Sequence, residues 1–87
     1  MPRAALCGNA RGLRQTARNM INAGTGSQAA LSIARSATEN LINTAKWLGC
    51  GNPAVASLEV HDAITWAEIH AIANVIINAC CEAGPIR

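Results

Sequence analysis

The sequence predicts an all-α protein, a small up-and-down bundle of three or four Ala-rich helices folded as a single domain over residues 1–87. Three observations carry this expectation. Alanine, the best helix former, supplies eighteen of the 87 residues, while Phe and Tyr, which favour strands, are absent. Apolar residues recur three and four apart along each long segment. Gly, Pro and Ser cut the chain into pieces of helical length. A core domain typically runs about 100–150 residues, so a second one has no room.

The first helix is expected from about Leu6 to Ala23. Leu6, Ala10, Leu13, Ala17, Met20 and Ile21 fall on one stripe, and Gly8 and Gly12 weaken its first turns. Gly24 suits the left-handed residue after a helix, and Ser27 suits the N-cap of the next. The second helix, about Gln28 to Leu48, has the clearest pattern. Leu31, Ala34, Thr38, Leu41, Ala45 and Leu48 form a seam of alternating three and four, widened by Ala30, Ala37 and Ile42. This helix is expected at the centre of the bundle. Gly49 and Gly51 end it, and Asn52-Pro53 restarts the chain as an N-cap followed by Pro at the first helical position.

Residues 53–83 admit two readings. One unbroken helix would be roughly 46 Å long against roughly 32 Å for its neighbour, leaving apolar residues uncovered. The apolar stripe also changes register, from Val60, Ile64 and Ala67 to Ile69, Ile72, Ile76 and Cys80. Thr65-Trp-Ala-Glu68 has the form of a capping box. A short helix near 54–62 and a longer one near 66–83, closed by Gly84-Pro85, is therefore the preferred reading.

The chain is 51% hydrophobic and 14% charged, which excludes a charged disordered tail. No apolar run approaches the roughly 20 residues of a membrane span, and no signal-like segment opens the sequence. The net charge of +2 is unevenly placed. Residues 1–38 carry five Arg and no acid, while residues 39–87 carry two cations and five acids. A basic first helix lying near an acidic last one is the plain reading of that asymmetry.

Cys7, Cys50, Cys80 and Cys81 lack the C-x₂₋₄-C pairing of a zinc site, and vicinal cysteines point about 100° apart on a helix. Reduced, buried thiols in a cytoplasmic protein are the first expectation. The alternative is a secreted protein with two bridges. If the chain breaks near Thr65, all four sulfurs gather at one end, and Cys7 and Cys50 can each pair with one member of the vicinal pair. Spacing does not choose between the pairings. His61 and His70 are nine residues apart, about 180° around a helix, so one helix cannot bring them to one metal. No local signature joins a nucleophile, a base and an orienting group. No catalytic residue, metal or cofactor is expected.

Two surfaces are candidates for a partner. Arg11, Arg14 and Arg18 share a face of the first helix and form a candidate anion-binding stripe. With no stacking aromatic beside them, a solvated flank is preferred and nucleic acid is the weaker alternative. Ile33 and Trp47 lie well over 100° from the apolar stripe of the second helix, and an outward Trp is a common interface anchor. The competing reading is that another helix, or Trp47 itself, covers that side. The Ala-rich text from Gln28 to Lys46, with Ser, Thr and the pair Leu41-Ile42, resembles helices of talin-rod bundles. Ala34 and Thr38 stand where vinculin-binding helices of that family place aliphatic residues, so the resemblance is one of packing. It implies a protein-binding bundle. The functional expectation is a non-catalytic subunit, adaptor or inhibitor that binds another protein. The alternative is a secreted, disulfide-stapled toxin, effector or lipid carrier. With few large apolar residues the monomer is expected to be marginally stable, which makes self-association a candidate as well.

Overall fold

A computed structural model describes residues 3–24, 27–50 and 53–81. The described residues form four helices and no strand: α1 (Arg3–Ala23), α2 (Gln28–Leu48), α3 (Pro53–Ala56) and α4 (Trp66–Cys80). α2 keeps its expected limits because both ends are capped. Ser27 Oγ accepts the Ala30 N–H at 3.0 Å. Gly49, at φ +66°, takes the left-handed conformation and donates its N–H to the Lys46 carbonyl. Gly24 closes α1 in the same way at φ +65°. Thr25, Gly26, Gly51, Asn52 and the Gly84-Pro85 stop lie outside the described residues.

The chain does break at Thr65. The capping box is complete, since Thr65 N–H donates to Glu68 Oε1 at 2.9 Å and Glu68 N–H donates to Thr65 Oγ1 at 3.2 Å. The helix expected near 54–62 is a correction: it stops at Ala56. The connector must travel back along α2, and two contacts track it. Lys46 Nζ donates to the Leu58 carbonyl at 2.9 Å, and Arg35 pairs with Asp62 at 3.2 Å. From Lys46 back to Arg35 is about 16 Å of helix, and from Leu58 to Asp62 only four peptide steps are available. An extended chain at about 3.3 Å per residue, helped by the long Arg35 side chain, covers that distance, and a helix does not.

The expectation that α2 is central is also corrected. α4 sits in the middle, packed most extensively on α1 and also on α2 and α3. The reason is legible in its residues: Ile69, Ile72, Ala73, Ile76, Ile77 and Cys80 are all buried, so no wide polar face is left. Alanines let the helices approach closely, with Ala10, Ala17, Ala45 and Ala73 at zero exposure. Thr38 is buried among them, its hydroxyl satisfied by the Ala34 carbonyl at 2.7 Å.

Cys7 near the start of α1 reaches Cys81 just beyond α4, and Cys50 just beyond α2 reaches Cys80. α1 therefore runs antiparallel to α4 and α2 parallel to it. All four sulfurs collect at one end of the bundle.

Candidate interaction surface

The seam of α2 faces α4, and its opposite side is left to solvent. Ile33 is 72% exposed and Trp47 79% exposed, against 46% for Ile21 at the far end of α1. Among the described residues, nothing packs over this side and Trp47 does not fold across the bundle end. The two side chains are 14 residues apart, about 21 Å along the axis and about 40° around it. Between them the surface is small and uncharged. Ser36, Asn40 and Asn43 are exposed, and Ala37 and Thr44 are half-buried. Thr44 turns its hydroxyl back to the Asn40 carbonyl at 2.9 Å. The charged residues of α2, namely Arg35, Glu39 and Lys46, fall on one flank. Two of them are engaged with the connector, Arg35 with Asp62 and Lys46 with the Leu58 carbonyl.

A cleft of about 430 Å³ adjoins this face, between α1 and α2. Gly8, Gly12 and Leu13 line one wall and Ala37, Asn40 and Leu41 the other. The space beside the two glycines is open: a Cβ at Gly8 or Gly12 would meet no atom within 4 Å. Sequence reasoning saw these glycines only as helix-weakening. Their i, i+4 spacing on the side facing Ala37 was the available signal for a groove. A second hollow of about 450 Å³, bounded in part by Lys46, Cys50, Pro53 and Val55, lies at the sulfur end.

The Arg stripe is not presented as one unit. Arg11 and Arg18 are exposed, but Arg14 is half-buried and donates from Nη1 to Asn74 Oδ1 on α4 at 2.8 Å. The basic helix does lie against α4, yet this contact is met by an amide rather than by a carboxylate. No protein-family model, curated protein or solved structure matches the chain.

The cysteines form two pairs at disulfide distance, Cys7 with Cys81 and Cys50 with Cys80, with Cα separations of 5.8 Å and 5.3 Å. Adjacent helical positions diverge by about 100°, which lets Cys80 turn to the end of α2 while Cys81 turns to α1. His61 and His70 are not brought together. His61 Nε2 lies 3.2 Å from Glu68 Oε2, whereas His70 is half-buried on α4. Among the described residues, no three His, Cys, Asp or Glu side chains converge as a metal site. The Glu68 carboxyl is held below its ordinary value, first by the Thr65 backbone N–H, with partial desolvation opposing and the Thr65 hydroxyl and His61 adding to the lowering.

Proposed function

We propose that this chain is a non-catalytic helical module that works by binding another protein through the outward face of α2. One observation carries the reading: two large apolar side chains, Ile33 and Trp47, stand exposed on a face free of charge. Leaving a Trp in water forfeits the burial free energy of one of the largest apolar side chains, and Trp is enriched among the residues that dominate binding energy. The test is capture by the immobilised, oxidised chain. Trp47→Ala and Ile33→Ser should each weaken capture at least tenfold while leaving the far-UV circular dichroism and melting temperature unchanged. Capture that survives both substitutions rejects the surface.

The compartment belongs to a second reading, which the convergence of the four sulfurs favours. Two bridges persist where the surroundings are oxidising, so the protein is proposed to act in a secreted or extracytoplasmic setting rather than in the cytoplasm. An intact mass about four daltons below the fully reduced value, two hydrogens per bridge, is the expected result. Free thiols in protein made under oxidising conditions would reject it. Within this reading an effector or inhibitor is favoured over a lipid carrier. Leu6, Ile69, Ile76 and Ile77 fill the interior at zero exposure, and both hollows described above open at the surface.

A further inference from the structure

The outward face of α2 has an internal symmetry that points to its occupant. Ile33 and Trp47 each stand seven residues from Asn40, one on either side. Seven residues are almost two helical turns, so all three side chains return to one face. We propose that α2 docks on α2 of a second copy of this chain, antiparallel, about a two-fold axis passing beside Asn40. The proposal rests on the reading that this face binds protein, and names the protein.

A two-fold interface sets one patch against its own image, so the patch must complement itself. Here it does. Ile33 lies opposite Trp47 of the second copy, an aliphatic side chain under an indole, and the same pair repeats at the other end. Ser36 lies opposite Thr44 of the second copy, and these small residues let the helix axes approach to about 8 Å. Asn40 meets its own image. An amide carries both a donor and an acceptor, so two facing Asn side chains can satisfy each other, and a paired Asn at a helix interface fixes register.

Charge permits the arrangement on the face but opposes it on the flank. The face itself carries none, so docking strands no ion. A two-fold lying across the face keeps the flank of Arg35, Glu39 and Lys46 on the same side in both copies. Like charges then meet on that flank, the two Glu39 carboxylates near the centre and Arg35 beside Lys46 of the second copy at either end, so the flank weakens the dimer and added salt should strengthen it. The area is modest. At their observed exposures, two Trp and two Ile side chains contribute on the order of 600 Å² of the roughly 1,600 Å² in a standard interface. The small residues between them add the rest of a narrow strip. The dimer is therefore a weak one, populated at tens of micromolar rather than at nanomolar concentration.

Sedimentation equilibrium of the full oxidised chain from about 1 μM to 1 mM tests this. The average mass should rise toward that of two chains, and Trp47→Ala should weaken association at least tenfold. Asn40→Asp places two carboxylates face to face and should give a monomer at neutral pH, as should Asn40→Lys with two ammonium groups. Mixing the Asp and Lys variants should restore the dimer, because residue 40 meets itself only in this register. Circular dichroism and melting of each variant confirm the fold. Wild-type chain that stays monomeric throughout overturns the proposal, as does a dimer indifferent to Trp47→Ala or a mixture that fails to associate. Loss of capture by Trp47→Ala in a monomeric wild type would sink the homodimer while leaving the wider binding reading standing.

Discussion

Thr65 holds the junction between the connector and α4 through a hydroxyl that accepts the Glu68 N–H and a backbone N–H that donates to the Glu68 carboxylate. Removing the hydroxyl leaves first-turn N–H groups without that acceptor, so Thr65→Ala should destabilise by about 0.5–2 kcal/mol in urea unfolding. In a continuous helix the same change would stabilise, since Ala is the better helix former. The capping box also ties stability to pH. The Thr65 N–H holds the Glu68 carboxyl below 4.5, its ordinary value. A group whose folded pKa is depressed contributes fully above the unfolded value, and the contribution fades as pH falls through the lowered one. An NMR titration should therefore place the Glu68 midpoint below 4.5 in the wild type, and Thr65→Ala, which keeps the backbone N–H, should leave most of that lowering in place. A wild-type midpoint at or above 4.5 would contradict the Thr65 N–H contact as the cause.

At the scale of the element, the glycines of α1 and α2 make opposite predictions. Gly8 and Gly12 have helical backbones with open space where a Cβ would stand, so Gly8→Ala and Gly12→Ala should each stabilise by about 0.5–1 kcal/mol in thermal unfolding. Gly49 sits at φ +66°, where Ala is strained, and Gly49→Ala should destabilise by about 1 kcal/mol. A loss of stability at Gly8 or Gly12 would mean that the cleft is closed in solution. These contrasts bear on what the sequence could reveal. The limits of α2 and the start of α4 were legible because local chemistry set them: Ser27, Gly49 and the Thr65–Glu68 box act within a turn. The end of α3 was not legible, because it depends on how far the connector must travel beside α2. The central place of α4 was partly legible in its run of Ile, Val and Ala. Periodicity favoured α2 because its seam is more regular. Ile33 and Trp47 were placed on the outward side by the helical period alone, whereas the cleft needed the relative position of two helices.

For the molecule as a whole, the sulfur end decides whether the bundle holds together. In the chain-entropy picture a bridge between residues 74 apart stabilises by about 4.5 kcal/mol, and one between residues 30 apart by about 3.7 kcal/mol. The two do not add in full, because both end on adjacent residues of α4 and closing one loop already restricts the other. Either is comparable with the ~5–15 kcal/mol that separates folded from unfolded chains of ordinary domains. Full reduction should therefore lower the melting temperature by about 20 °C or abolish the transition. The pairing makes a sharper claim. Cys50→Ser with Cys80→Ser keeps the Cys7–Cys81 bridge, and Cys7→Ser with Cys81→Ser keeps the Cys50–Cys80 bridge. The crossed double, Cys7→Ser with Cys80→Ser, leaves Cys50 to reach Cys81, which points about 100° away from Cys80. To close that bridge the last turn of α4 must rotate, and its buried Ile76 and Ile77 turn with it. Both matched doubles should melt well above the crossed one, and the matched double keeping the longer loop should melt higher of the two. A crossed double as stable as the matched pair would show that the end of α4 is free to turn, and the assignment of Cys81 to α1 would fall with that result.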